Sequence, residues 1–164
     1  MPLAYSLTNA TPVFGLPGVA TLTCGTPPPP PPVCTYTKGF YRNHSDVTAA
    51  VVAGMGGTVP VGASALTAAQ AQAVLNAVPG QAGNVTFASN LLLNVVQQLI
   101  TAELNIARGS PASAGVQAAI SSTNAGVTAT VAGGQITLAS SLTTGSVSGA
   151  VATLESFNSS NDCG

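Results

Sequence analysis

The apolar positions between residues 85 and 107 recur at the spacing of one face of a helix. Four of them follow one another every fourth residue: Phe87, Leu91, Val95 and Leu99. This period predicts an amphipathic α-helix over residues 85–107 whose apolar face packs against a core. Arg108 and Gly109 come next, and a basic residue followed by glycine is typical of a helix C-terminus.

Shorter segments on both sides of this helix also have recognisable ends. Their patterns predict three more helices, over residues 68–77, 111–121 and 146–157, and one strand over residues 135–139. Thr67 is the predicted N-cap of the first of these helices. Ser110 followed by Pro111 predicts the N-cap and first position of the second helix. Gly133-Gly134 predicts the turn that precedes the strand.

The first 33 residues have a different pattern. Loose alternation over residues 3–8 and 19–23 predicts short strands, but nearby prolines restrict them to an edge strand or an extended arm. The apolar positions of this arm are Leu3, Tyr5, Leu7, Val19 and Leu22. Six prolines then occupy residues 27–32, and in polyproline II they span about 19 Å as a stiff spacer.

These elements together predict a mainly α fold with a β or extended N-terminal arm, in the α+β class. The predicted divisions are an arm over residues 1–26, a polyproline spacer over residues 27–33 and a compact, mainly helical domain over residues 34–164. The longest apolar stretch, residues 91–100, contains an asparagine and two glutamines. It is too short and too polar to cross a bilayer.

Charge is nearly absent from the chain. Only 3 Lys and Arg and 4 Asp and Glu occur among 164 residues, and the formal net charge is −1. Three basic residues cannot neutralise a run of phosphates or hold a protein on an anionic membrane, which argues against both partners. An uncharged polar surface loses little solvation when it packs against a copy of itself. The composition therefore favours a subunit of an assembly over an isolated domain.

The three cysteines, Cys24, Cys34 and Cys163, have a spacing that fits no zinc or Cys-x-x-Cys pattern. In an oxidising compartment, an odd number predicts one internal disulfide and one cysteine for a cross-link to a partner chain. In a reducing cell all three would be free thiols. The spacing does not decide which two would pair.

Residues 34–46 combine aromatic, basic and imidazole side chains in one short block. A zinc site needs three or four ligands, and Ser45 is too close to His44 in sequence for a hydrolase triad. We therefore assign no catalytic residue, metal or cofactor and expect a protein that is not an enzyme. The predicted role is structural for Tyr36, Phe40, Tyr41, Arg42, His44 and Glu103.

In this interpretation the three aromatic residues anchor the start of the domain. Arg42 and His44 are expected to bond to backbone carbonyls or to Glu103. A carboxylate in the middle of the main helix needs a partner, and we expect Lys38 or Arg42 to provide it.

The same block resembles a family of bacterial extracellular or surface proteins with the signature Cys-Thr-Tyr-Thr-x-Gly-aromatic-aromatic-basic-x-His. Here the signature runs from Cys34 to His44, and similarity to the family extends over roughly residues 34–158. Tyr41 and Arg42 stand where tryptophan and lysine are expected, and Ser45 stands where proline is frequent. The resemblance implies a location outside the cytoplasm and no particular activity.

Three hypotheses for function come from different classes. The leading one is a structural subunit of an extracellular filament or surface appendage, a homopolymer in which the N-terminal arm packs on the neighbouring subunit and disulfides lock the joint. The alternative is a monomeric secreted module that binds a glycan or a protein near the aromatic block. The third is a small enzyme that depends on His44.

Overall fold

The computed structural model of the protein describes residues 34–81 and 83–160. The predicted arm over residues 1–26, the proline spacer, Cys24 and Cys163 lie outside the described residues. The domain that begins at Cys34 is therefore the part whose fold can be compared with the sequence.

Six helices and five strands lie along the described residues. In chain order they are α1 (Lys38–Asn43), α2 (Ser45–Gly54), β1 (Thr58–Val61), β2 (Ser64–Thr67), α3 (Ala68–Asn76), β3 (Val85–Phe87), α4 (Asn90–Ala107), α5 (Ala114–Gly126), β4 (Val127–Ala132), β5 (Gln135–Ser140) and α6 (Thr144–Ser159). The mainly helical α+β class predicted from the sequence is confirmed.

Helix α4 forms the centre of this domain. Twelve of its 18 residues are buried, and it packs against α6, α3, α2 and β1. A helix that is apolar on most of its circumference has to be surrounded by other elements. Leu99 and Ile100 are fully buried, and burial of each such side chain stabilises the fold by about 1.5–3 kcal/mol.

The predicted start of this helix at residue 85 is wrong. The Ser89 side chain accepts a hydrogen bond from the Leu92 N–H and caps α4 there. Residues Val85–Phe87 form β3 instead, which pairs in parallel with β5. Phe87 happens to continue the four-residue spacing, but pairing with a distant strand overrides that local period.

The other predicted boundaries have mixed outcomes. Helix α3 has its predicted N-cap, where Thr67 and Gln70 form a capping box. Helix α6 is longer than predicted by two residues at each end. The predicted cap at Ser110 is wrong, because Ser113 caps α5 and the Ser110 hydroxyl donates to the carbonyl of Cys34 instead.

The strands form two sheets. Strands β1 and β2 are an antiparallel pair, and the second sheet has the order β3-β5-β4, with β4 antiparallel to β5. The predicted turn at Gly133-Gly134 joins β4 to β5, and both glycines have positive φ, as a two-residue hairpin turn requires. The predicted strand over residues 135–139 is confirmed as β5.

One face of the three-stranded sheet is apolar and the other is lined with threonine. Ile136 and Leu138 of β5 are buried, whereas Thr137 between them is exposed. Thr137 lies beside Thr86 of β3 on one side and Thr130 of β4 on the other. We call Thr86, Thr137 and Thr130 the threonine row.

Gly62 connects the β1–β2 hairpin to the larger sheet. It forms an isolated bridge with Thr128, and its N–H donates to Asn124 Oδ1 at 2.8 Å. Its φ is +65°, and a Cβ atom added here would collide with the carbonyl of Val127. Only glycine fits both the conformation and the close approach.

Replacing Gly62 with alanine is therefore expected to destabilise the domain. Gly57→Ala is the matched control, because Gly57 also has positive φ but nothing lies within 4 Å of the added Cβ. We expect Gly62→Ala to cost about 1–3 kcal/mol more than the control, the usual range for overpacking. Urea denaturation of both variants measures the difference, and equal losses would contradict the packing argument.

Candidate functional site

Four planar side chains form a continuous stack where the chain enters the described domain. The rings of Tyr36 and Phe40 lie 3.8 Å apart and within 7° of parallel. His44 stacks on Phe40 at 4.2 Å, and the Arg108 guanidinium lies 4.0 Å from the centre of the Tyr36 ring. Stacking and cation–π contacts of this kind each contribute about 0.5–1.5 kcal/mol. We call these four side chains the planar stack.

Tyr41 contacts the planar stack edge-on and connects it to the core. Its ring is perpendicular to those of Tyr36 and Phe40, at 5.9 and 5.7 Å. Its side chain is fully buried, and burial raises the pKa of its phenol, while the nearby Arg108 guanidinium opposes the shift. The hydroxyl therefore stays protonated and available as a hydrogen-bond donor.

Asn105, in the last part of α4, binds both the backbone and the side chains of this region. Its Oδ1 accepts from the Tyr36 N–H at 2.8 Å and from the Tyr41 hydroxyl at 3.0 Å. Its Nδ2 donates to the Tyr36 carbonyl at 2.9 Å and to Asn158 Oδ1 at 3.1 Å. An asparagine amide has two donors and two acceptor positions, so the capacity of this fully buried side chain is used completely.

The same network reaches α6. Asn158 Nδ2 donates to both the backbone carbonyl and the side-chain oxygen of Gln98 in α4, at 3.0 and 2.9 Å. Asn105 and Asn158 thus join the first described residues, the central helix and the last helix through buried amides. Such groups are costly to bury unless they are paired, and here they are.

Cys34 lies at the boundary of the described chain. Its carbonyl accepts from the Ser110 hydroxyl at 3.2 Å, and its sulfur takes part in a disulfide. The other two cysteines lie outside the described residues, so the pairing that the sequence left open stays open. We call residues 34–44, with their contacts to α4, the N-terminal junction.

Lys38 is held by amides. Its Nζ donates to Asn94 Oδ1 at 2.8 Å and to Gln97 Oε1 at 3.2 Å. Gln97 Nε2 in turn donates to three carbonyls at the end of α3, those of Val74, Leu75 and Ala77. Burial lowers the pKa of Lys38, and the Glu155 carboxylate partly offsets that shift.

The predicted ion pair between Glu103 and Lys38 or Arg42 is wrong. Glu103 Oε1 accepts from Asn124 Nδ2 of α5 at 3.3 Å, and burial raises the pKa of its carboxyl. Lys38 binds Asn94 and Gln97 instead because it lies beside the first half of α4, away from Glu103.

The predicted hydrogen-bonding roles of Arg42 and His44 also differ from the structure. The side chain of Arg42 is exposed, and it is the Arg42 carbonyl that takes part in a bond, accepting from Gln72 Nε2 at 2.9 Å. The imidazole of His44 stacks on Phe40. Arg42 thus contributes a backbone carbonyl from the last turn of α1, and His44, the C-cap of α1, contributes its ring to the stack.

The arrangement is suited to holding a chain in place. His44 is exposed at one end of the planar stack, and Phe40 covers one face of its ring. No group of three or more His, Cys, Asp or Glu residues within the described ranges could hold a metal ion. Each hydrogen bond of Asn105 stabilises a fixed position of the neighbouring backbone or side chain, and none of its polar atoms points to an unfilled site.

The sequence correctly groups Tyr36, Phe40, Tyr41 and His44 in one site. It does not identify the four residues that hold them there, which are Asn105, Arg108, Ser110 and Asn158. Asn105 carried a usable signal, since it is a polar residue between Leu104 and Ile106 in an otherwise apolar stretch. Arg108 and Ser110 were assigned to helix ends, which is where such residues usually occur. Their contacts depend on tertiary structure.

Comparison with protein-family models, with curated proteins and with solved structures finds no match to this chain. The resemblance of residues 34–46 to a bacterial surface family therefore stays an expectation. Within the described residues, none of the helices has the length and apolar character needed to span a membrane.

Asn105→Ala is expected to loosen the whole junction. It leaves the Tyr41 hydroxyl, both backbone groups of Tyr36 and Asn158 Oδ1 without their Asn105 partner, at about 1–3 kcal/mol for a buried polar group left unpaired. We expect a total loss of about 3 kcal/mol or more in the free energy of unfolding. The control is Asn94→Ala in the same helix, whose half-buried amide accepts one bond, and equal losses in chemical denaturation would contradict the assigned role.

Glu103→Gln is expected to stabilise the domain at neutral pH. A glutamate carboxyl has an ordinary pKa of 4.5, and folding raises the pKa of Glu103. The folded domain therefore loses stability as pH rises from 4.5 through the folded-state pKa, because the Glu103 carboxyl ionises more readily in the unfolded chain. The amide keeps the acceptor for Asn124 without the charge. The gain should vanish below pH 4.5, and denaturation across pH measures it. The exposed Glu155→Gln is the control and should show no comparable gain.

Proposed function

We propose that the protein is a structural subunit that assembles with copies of itself into an extracellular filament or surface appendage. The N-terminal arm of one subunit would pack on the next subunit, and a disulfide would lock the joint. The observation that carries this proposal is the N-terminal junction, which fixes the first described residues to the central helix by buried hydrogen bonds.

A joint between subunits has to transmit tension from the arm to the folded core. At the junction, both backbone groups of Tyr36 bind Asn105, and the carbonyl of Cys34 binds Ser110. Asn105 lies in α4, the most deeply buried helix of the described domain. A pull on the chain before Cys34 would thus reach the centre of the core, which supports an arm that bears tension between subunits.

The scarcity of charge supports packing between subunits. The chain has a net charge of −1 and seven formally charged residues, and α5 contains none of them. Helix α5 instead exposes small and polar residues such as Ser121 and Ser122. Bringing such surfaces together requires little desolvation of charge, and close to zero net charge little repulsion opposes it.

The cysteines support a covalent joint. Cys34, next to the anchored Tyr36, already takes part in a disulfide. With three cysteines in the chain, intrachain pairing leaves one available for a neighbouring subunit. The resemblance of residues 34–46 to bacterial surface proteins agrees with an oxidising location in which such bonds persist.

A cavity beside α1 favours a second candidate, a monomeric module that binds a surface glycan or protein. Its volume is about 240 Å³, and it is lined by Thr37, Lys38, Gly39, Gln98, Glu155, Asn158 and Ser159. A sugar would meet polar groups there. The faces of the Tyr36 ring are already covered by Phe40 and Arg108, which weakens the expected role of the aromatic block as a sugar platform.

Deletion of residues 1–26 tests the assembly. We expect the full chain, purified under oxidising conditions, to form regular filaments in negative-stain electron microscopy, and the deletion variant to remain monomeric. A circular-dichroism melt of the variant controls for loss of folding. Filaments of the full chain should also shorten on reduction. A full chain that stays monomeric would contradict the proposal and favour the binding module, and filaments of the deletion variant would exclude the arm.

A further inference from the structure

Within residues 34–81 and 83–160, strand β3 has one strand partner, and no described strand pairs with its other edge. It pairs only with β5, and it is the outermost strand of its sheet. The Ile136 N–H donates to the carbonyl of Asn84 at 2.8 Å, and Val85 is the residue in register with Ile136. In a parallel pair, residues 84 and 86 then bond to β5, and the backbone groups of Val85 and Phe87 point away from it.

A groove runs along this edge. A cavity of about 260 Å³ lies between β3 and the last turn of α3, and Ala73, Asn76, Ala77, Val85 and Phe87 line it. The side chains from α3 are small and uncharged, which leaves space next to the strand. Gln97 holds the end of α3 in position through its bonds to three carbonyls, so the far wall of the groove is fixed.

We infer that this groove is the acceptor for the arm, and that residues 3–8 of a neighbouring copy add a fourth strand to the edge of β3. This inference rests on the proposed function and identifies the surface that the arm occupies. Main-chain hydrogen bonds to Val85 and Phe87 would supply affinity, and the side chains that alternate along the arm would select the register.

The pattern of residues 3–8 matches the two faces of the sheet. Leu3, Tyr5 and Leu7 alternate with small or polar residues, so one face of the added strand is apolar and the other is polar. Tyr5 and Leu7 would face the groove wall beside Val85 and Phe87. Ser6 between them would extend the threonine row.

The second extended segment fits less well. In residues 19–23 one face carries Val19 together with two threonines, and the other carries Ala20 and Leu22, so apolar side chains are divided between the faces. Neither segment contains proline, so in both every N–H is available to the edge. The division of apolar side chains is the difference that favours residues 3–8 as the occupant.

The positions of junction and groove predict a chain of subunits. Cys34 is held by Ser110, three residues after α4 ends, whereas β3 lies just before α4 begins. Helix α4 has 18 residues and is therefore about 27 Å long. Its length separates Cys34, where the arm joins the domain, from the edge of β3 that would receive an arm. A contact between two different ends is head-to-tail and propagates as a filament when it does not close.

The test uses full-length variants that block one partner at a time. Phe87→Pro removes an outward N–H from the edge, while Thr86 before it already has the extended conformation that precedes proline. Phe87→Ala is the matched control, because it loses the ring and keeps the N–H. Ala73→Arg fills the groove by another route, with Ala69→Arg, at a position of α3 outside the groove lining, as its control. The triple change of Leu3, Tyr5 and Leu7 to serine disables the arm.

We expect wild type, Phe87→Ala and Ala69→Arg to form filaments, and Phe87→Pro, Ala73→Arg and the arm variant to stay folded and monomeric. A mixture of Phe87→Pro with the arm variant should form 1:1 dimers and no longer chains in light scattering. The one intact arm and the one intact groove are then on different chains, so they can meet only once.

The contrary outcomes distinguish failure of the groove from failure of the proposed function. Filaments of both Phe87→Pro and Ala73→Arg would overturn the groove as acceptor and leave the filament proposal intact. A mixture without 1:1 dimers would also overturn the groove. A monomeric wild type would overturn the proposed function, together with the inference that rests on it.

Discussion

The hydrogen bonds of Asn105 are the interaction on which the first part of the described domain depends. One buried amide in α4 fixes the backbone of Tyr36, the hydroxyl of Tyr41 and, through Asn158, the helix α6. Because the side chain has no spare donor or acceptor, none of these contacts can be exchanged for another without leaving a buried polar group unpaired. The planar stack adds dispersion and cation–π energy, and Asn105 holds the backbone of Tyr36, whose ring belongs to that stack. The amide contacts and the stack thus act on the same residue.

Amides connect the elements that ion pairs connect in many other domains. Gln97 joins Lys38 to the end of α3, Asn124 joins Glu103 to Gly62, and Asn158 joins α6 to α4. A neutral amide costs less to bury than a charge, and it both donates and accepts, so one side chain can link two elements. This explains how a chain with so few charges keeps these buried polar groups paired. It also leaves a surface whose contacts depend little on electrostatic steering, as the proposed packing between copies requires.

The sequence predicted what local patterns determine and missed what depends on distant partners. The class of the fold, the N-cap of α3 at Thr67 and the Gly133-Gly134 turn follow from residues close in sequence, and all are confirmed. The four-residue spacing predicts a helix at Val85–Phe87, but these residues form β3 because they pair with the distant β5, which no local period reveals. Helices α1 and α2 and the β1–β2 hairpin are too short to show a clear period. At the site, the aromatic residues were identified from their clustering. Arg108 was missed because nothing local shows that the chain returns to it. Asn105 stands out as a polar residue in an apolar stretch, but that position alone does not identify its partners.

The open edge of β3 and the anchored junction have a common physical origin in α4. The helix needs a polar cap at Ser89, which ends β3 after three residues, and it needs polar partners near its other end, where Asn105 and Ser110 bind the first described residues. A short edge strand has few unpaired groups and is therefore a weak template for indiscriminate pairing. An arm tethered to another copy at high local concentration can still use such an edge, because tethering compensates for the small number of bonds once a first contact has formed. Under the proposed function, the same shortness that protects an isolated subunit from random aggregation leaves the edge available to an arm of matching pattern.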